Sequence, residues 1–221
     1  MSSEREARID KSHYFDARYL KRERMYSFVE QIELIKQYAA VEDQLLEIGK
    51  GNGFVADFCT RYLGYTVKTV DVNEDLQPDV IDDITAPRHL PENSADVVVC
   101  YEVLEHMPFE KSVAAVENMA RIARKYVLIS VPDMRYFISG RFTVFGSGPI
   151  FLQKLISTRR FRQARKKFGD DHHWEIGLKT DAATYSAAYV RQNLFKTVRL
   201  IKDYRDIAVP WHHYFVVKTG K

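Results

Sequence analysis

The chain has 221 residues, 46% of them apolar and 29% charged, a balance that fits a soluble globular domain with a sizeable core and excludes a disordered or repetitive one. Its first 24 residues scatter charge and hold no apolar run long enough for a signal peptide or a membrane span, so a cytoplasmic location is expected. Net charge is only +3, yet nine Lys and Arg and no acid fall between Asp133 and Asp170, which leaves the remainder net acidic.

In chain order, Met25, Phe28, Val29, Ile32 and Ile35 recur at helical spacing and predict an amphipathic helix over 18–38, beside the first strand and within an N-terminal extension, 1–40. Strand 44–48, helix 54–63, strand 66–71, short strand 79–81, strand 96–101, helix 109–124 and strand 126–131 follow in alternation. Val97-Val98-Val99 and Val127-Leu128-Ile129 are continuous apolar runs, the mark of parallel strands buried on both faces. This is a doubly wound α/β arrangement. Pro132 stops the fifth strand, and 134–169 then breaks the alternation. A helix over 181–193 and strands over 195–201 and 211–218, joined by a short turn, predict an antiparallel finish. The whole reads as a single domain with 134–169 inserted as a basic lid. Cys59 and Cys100 lie in predicted regular elements without metal-type spacing and are expected in the core.

Residues 45–53, Leu-Leu-Glu-Ile-Gly-Lys-Gly-Asn-Gly, run a short apolar strand into glycines at every second position. A strand that turns sharply into a helix while its backbone approaches a ligand needs glycine's dihedral freedom and missing Cβ. Gly49, Gly51 and Gly53 meet that need. Phe54 stands where a dinucleotide fingerprint wants its third glycine, so NAD and FAD fit poorly, and no Lys-Ser/Thr pair completes a P-loop. The pattern from Glu47 to Gly53 resembles the first motif of class I S-adenosylmethionine-dependent methyltransferases. That family's seven-stranded, Rossmann-like sheet ends in an antiparallel hairpin, as drawn here.

Asp71 ends the second strand 18 residues after Gly53, where a carboxylate accepts both ribose hydroxyl protons. The resemblance implies the same role, with S-adenosyl-L-methionine as cofactor. It further implies that Glu47, beneath the loop, holds backbone amides or the cofactor's amino-acid end. Asn52 and Val72 complete the cradle, and Asp83 rather than Asp82 takes the adenine amino group with Ile84 beside it. Cys100 and Tyr101, at the end of the fourth strand, are placed beside the reactive end. Asp96, at that strand's start, is read as structural.

Methyl transfer from a sulfonium is an in-line displacement that needs a held nucleophile, excluded water and, for a protonated acceptor, a base. Glu102, Glu105 and His106 fall at i, i+3 and i+4, so one helical turn gives them a shared face. His106 is the candidate base, with Glu102 as its catalytic partner, unless it simply packs and hydrogen-bonds near the cofactor. The same segment resembles the metal-binding Glu-x-x-Glu-His of small-RNA 3′-end 2′-O-methyltransferases and ubiquinone-pathway O-methyltransferases. His172 or His173 would then complete a metal site or line the acceptor pocket; similar segments occur without metal, and no metal is assigned. Trp174 packs over the site or in the core. His212 and His213, on the last strand, are expected to point one inward and one outward, without a catalytic role.

In 134–169, apolar residues with Gly146 and Gly148 as hinges precede Arg159, Arg160, Arg162, Arg165, Lys166 and Lys167. The charge suits a solvated helix face, an anionic substrate, a membrane surface or, less well for want of stacking aromatics, RNA. The reading is a class I methyltransferase acting on a small or lipid-like acceptor, oxygen favoured. Its rivals are a metal-dependent RNA 2′-O-methyltransferase and a non-catalytic cofactor-binding scaffold.

Overall fold

Alternating apolar strands and amphipathic helices build a three-layer arrangement in the computed structural model, which describes residues 12–17, 19–145, 149–157, 162–163 and 172–220. Helix α1, Arg22–Tyr38, buries Phe28, Ile32, Leu34 and Ile35. It starts after Lys21, four residues later than its pattern predicts, and lies across the middle of the sheet beside α2. Strand β1, Gln44–Ile48, helix α2, Phe54–Leu63, and strand β2, Thr66–Asp71, have the predicted bounds. Glycines in left-handed conformation punctuate them: Gly53 is the N-cap of α2 at φ 72° and Gly64 its C-cap at φ 78°.

Strands β3, Val80–Ile81, and β4, Ala95–Tyr101, follow, then helix α3, Phe109–Ile122. That helix stops two residues short of its predicted end, because Ala123 already pairs with Ala95 as β5, Ala123–Pro132, begins. Helix α4, Ala187–Leu194, starts six residues late, where the Ser186 hydroxyl accepts the Tyr189 amide. Strand β10, Arg199–Arg205, is displaced toward the C-terminus, and β11, His212–Lys218, returns beside it.

The sheet order is β10-β11-β5-β4-β1-β2-β3, parallel except for β11, which runs antiparallel to β5 and β10. One apolar layer joins the sheet to α3 and α4, the other to α1 and α2. Both faces are therefore covered, which is why Val97, Val98, Val99 and Cys100 are at most 1% exposed. Cys59 and Cys100 are both buried free thiols, as expected of core residues. The chain leaves β1 toward β2 on one side and toward β4 on the other, and such a switch point opens a crevice at the strands' carboxyl ends.

Residues 134–169 hold no helix among their described residues. Strands β6, Phe137–Phe145, and β7, Pro149–Ser157, form an antiparallel hairpin, and β8, Arg162–Gln163, pairs in parallel with β9, Leu178–Lys179. The proposed hinges Gly146 and Gly148, and Arg159, Arg160, Arg165, Lys166 and Lys167, lie outside the described residues. No described helix is long and apolar enough to cross a membrane.

Candidate active site

A cavity of about 580 Å³ opens at the carboxyl ends of β1, β2, β4 and β5. On one side the β1–α2 loop forms its floor. Gly49 and Gly51 line it at φ 83° and 52°, and Gly53 closes the loop behind them. A Cβ on Gly49 would lie 2.3 Å from Val103 Cγ2, so glycine is required there for space as well as for conformation. Asn52 lines the loop while its Oδ1 accepts the Phe54 amide at 3.1 Å.

Beneath the loop, Glu47 is 6% exposed and its Oε2 has no hydrogen-bond partner. Burial, reinforced by Asp71, pushes its carboxyl up to about 8. Asp71 and Val72 stand across the loop at the end of β2. Burial raises the Asp71 carboxyl too, opposed by the backbone amides around it, that of Asn73 at 2.9 Å. Asp82, Asp83 and Ile84 continue the wall. Asp82 spends both oxygens on the amides of Arg88 and His89, whereas Asp83 engages Thr85 through Oδ1 alone. That difference favours Asp83 for a ligand contact. Tyr101 lines the cavity, but Cys100 points into the sheet core and is not part of the lining.

The end of β4 departs from expectation. Glu102 adopts φ 60°, outside any helix, and the helical turn is a short 3₁₀ segment, Leu104–His106. Glu102 thus does not share a face with Glu105 and His106. It turns to the opposite wall, where it meets Arg24, His212 Nε2 at 3.3 Å and Gln31 Nε2 at 3.1 Å. Against burial, His212 and then Arg24 hold its carboxyl down at about 2, a permanent anion. Arg24 also lies 4.6 Å over the Tyr19 ring.

His212 was not expected here. Both terminal histidines are buried, at 6% and 4%, because both sheet faces are covered. His212 joins the cavity wall with its Nδ1 3.2 Å from Ser27 Oγ, while His213 bridges Asp133 and Asp203 on the other face. Tyr14, Tyr19, Arg24, Gln31 and Trp211 also line the cavity, and none belongs to a motif or to the apolar pattern that predicted α1.

The third wall comes from residues 172–177. The His173 amide donates to the Glu105 carbonyl at 2.7 Å, and Trp174 Nε1 donates to the Leu104 carbonyl and Ser112 Oγ at 3.1 and 3.0 Å. Trp174 is a core residue, fully buried against Phe109. These bonds bring His172 edge-on to His106, ring centres 4.7 Å apart, with Glu105 beside them. His172 Nδ1 meets Glu175 Oε1. Asp96 is far from this site, tied to the Gln44 amide and Arg124.

Comparison with known proteins agrees with this geometry. The chain resembles in fold the glycopeptide N-methyltransferase MtfA complexed with S-adenosyl-L-homocysteine, at TM-score 0.57 and 11% identity over 87% of this chain and 90% of that one. It is similar to the CcbJ methyltransferase from Streptomyces caelestis, at 0.55 and 12% over 88% and 90%. A third similar structure is magnesium protoporphyrin IX methyltransferase from Synechocystis PCC 6803 with bound SAM, at 0.54 and 12% over 89% and 81%. No curated protein matches in sequence. Residues 9–180 match the methyltransferase-domain family, so the chain belongs to that family and is a class I S-adenosylmethionine-dependent methyltransferase.

Proposed function

We propose that this enzyme transfers a methyl group to the hydroxyl of a small or lipid-like acceptor. The observation that carries the reading is the division of the cavity: a glycine loop flanked by Glu47 and Asp71 on one side, and a Glu105–His106–His172 corner on the other. S-adenosylmethionine fits the first side. The buried, unpartnered Glu47 Oε2 suits a cationic amino-acid end, and Gly49 and Gly51 bring bare backbone to the cavity. Gly51, Asn52, Gly53, Asp71, Val72, Asp83, Ile84 and Tyr101 would complete the hold. When bound, the cofactor supplies an electrophilic methyl on sulfonium sulfur.

The chain's own residues then position the acceptor and remove its proton. His106 stands at the corner where that proton would be lost. Glu102 serves as a fixed anion that anchors Arg24 and His212 in the acceptor wall. A four-ligand metal site of the RNA-methylating kind needs Glu102, which is committed elsewhere, and this favours a smaller acceptor. Tyr136, Phe137 and Ile138, 49%, 39% and 72% exposed and close in sequence to the lining residue Met134, support a lipid-like one. The basic residues of 134–169 would meet its anionic group or a membrane surface.

Calorimetric titration with S-adenosylhomocysteine tests the cofactor half, with NAD as control. Micromolar binding is expected, and Asp71→Ala should weaken it at least tenfold in a folded protein; unchanged affinity would remove the ribose assignment. Turnover on lipid extracts, lost in His106→Ala with cofactor affinity kept, tests the acceptor half.

A further inference from the structure

We infer that Glu105, His106 and His172 bind a first-row divalent cation on the acceptor side of the cavity, through three protein ligands with the remaining positions open to substrate. The inference deepens the hydroxyl-methylation reading and rests on it. Each residue presents one ligand atom, and the three atoms lie within 4.8 Å of one another. Donors about 2.0–2.2 Å from a cation stand roughly 3.4 Å apart, so a small rotation draws them in. His172, with its side chain 32% exposed, has the freedom to make it.

Two independent observations point to a ligand. Glu105 is 1% exposed and lines the cavity, yet its Oε2 has no hydrogen-bond partner. A carboxylate so placed is costly without a cation to face. Glu175, itself largely buried, engages His172 Nδ1, which orients the ring and leaves Nε2 for a metal. Carboxylate-backed imidazole is the usual support of a histidine ligand. The His173 amide, bonded to the Glu105 carbonyl, fixes the spacing between the two segments that supply the ligands. Two imidazoles and one carboxylate suit zinc, manganese, iron or cobalt rather than calcium or magnesium.

A cation here lowers the pKa of the acceptor hydroxyl, whose proton passes to water. The oxygen's electron pair forms the new C–O bond as the C–S bond breaks, and that bond's pair stays on sulfur. In this form His106 is a ligand, not the proton's destination.

The test uses tag-free full-length protein, stripped with chelator, and titrates it with Mn²⁺ and Zn²⁺ by calorimetry and with Co²⁺ by visible absorption. S-adenosylhomocysteine binding is measured in parallel. One equivalent per chain is expected, with affinity at least tenfold weaker in Glu105→Gln and His172→Ala and about tenfold weaker in Glu175→Gln. His172 lies on the surface, so its variant remains informative if Glu105→Gln does not fold. Absence of metal binding while S-adenosylhomocysteine still binds would overturn the cation site alone, as would unchanged affinity in either folded ligand variant. Loss of S-adenosylhomocysteine binding would instead defeat the cofactor reading beneath it.

Discussion

Glu47 shows how much chemistry one buried atom carries. With its carboxyl raised from 4.5 to about 8, the folded chain keeps a proton that the unfolded chain releases, so this group's contribution to stability falls as pH rises through that window. A cationic ligand against Oε2 would favour the anion and expel the proton. Calorimetry at pH 7 in two buffers of different ionisation enthalpy should therefore show proton release on S-adenosylhomocysteine binding, absent in Glu47→Gln. Buffer-independent enthalpy would place the ligand's ammonium elsewhere. Glu47, Asp71 and the glycines were legible because each is a strand-end residue whose job depends on its immediate neighbours. Arg24, Gln31 and His212 were not. They reach Glu102 from α1 and β11, far away in the chain, and a side chain's destination across a sheet leaves no periodic trace. The positive φ of Glu102 was equally silent.

Elements are pinned by punctuation and by a few buried polar bonds. Trp174 ties residues 172–177 to the 3₁₀ turn and α3 by donating to the Leu104 carbonyl and Ser112 Oγ. Trp174→Phe keeps most of the apolar contact but deletes that donor, and should cost about 1–3 kcal/mol in chemical denaturation. It should also loosen the His172 corner more than the glycine loop, so acceptor turnover should fall further than cofactor affinity. Where glycine marks the boundaries, as around α2, sequence and structure agree to the residue. Boundaries without such marks drift, at α1, α4 and β10. The β6–β7 hairpin had a signal that the lid reading passed over: Gly146-Ser147-Gly148 between two runs rich in aromatic and β-branched residues. Those two glycines were read as hinges and not as a turn.

At the scale of the molecule, the layering and the antiparallel finish follow from elementary rules, because uninterrupted apolar strands demand two covered faces and short connections demand an antiparallel end. Less visible was the charge cluster that fastens the antiparallel end to β5. Asp133 is 1% exposed and accepts from Arg135, with His213 and Arg205 close by. These partners outweigh burial and hold its carboxyl at about 2, below its ordinary 3.8. A depressed carboxyl stabilises the fold above its unfolded pKa and loses that contribution as pH falls through its folded one. Stability should accordingly decline between about pH 4 and pH 2, and Asp133→Asn should both lower the melting temperature at neutral pH and flatten that acid limb. A limb of unchanged slope would assign acid sensitivity elsewhere. The two outermost strands carry a different consequence. On one side β3 has only two residues; on the other, β10 bears the cations Arg199, Lys202 and Arg205 among its seven. Neither edge is a good template for another chain's backbone: the first offers too few groups, and the second brings like-charged side chains against any copy laid beside it. A protein that gathers its apolar runs into a continuous sheet is thereby guarded against growing that sheet outward into aggregates.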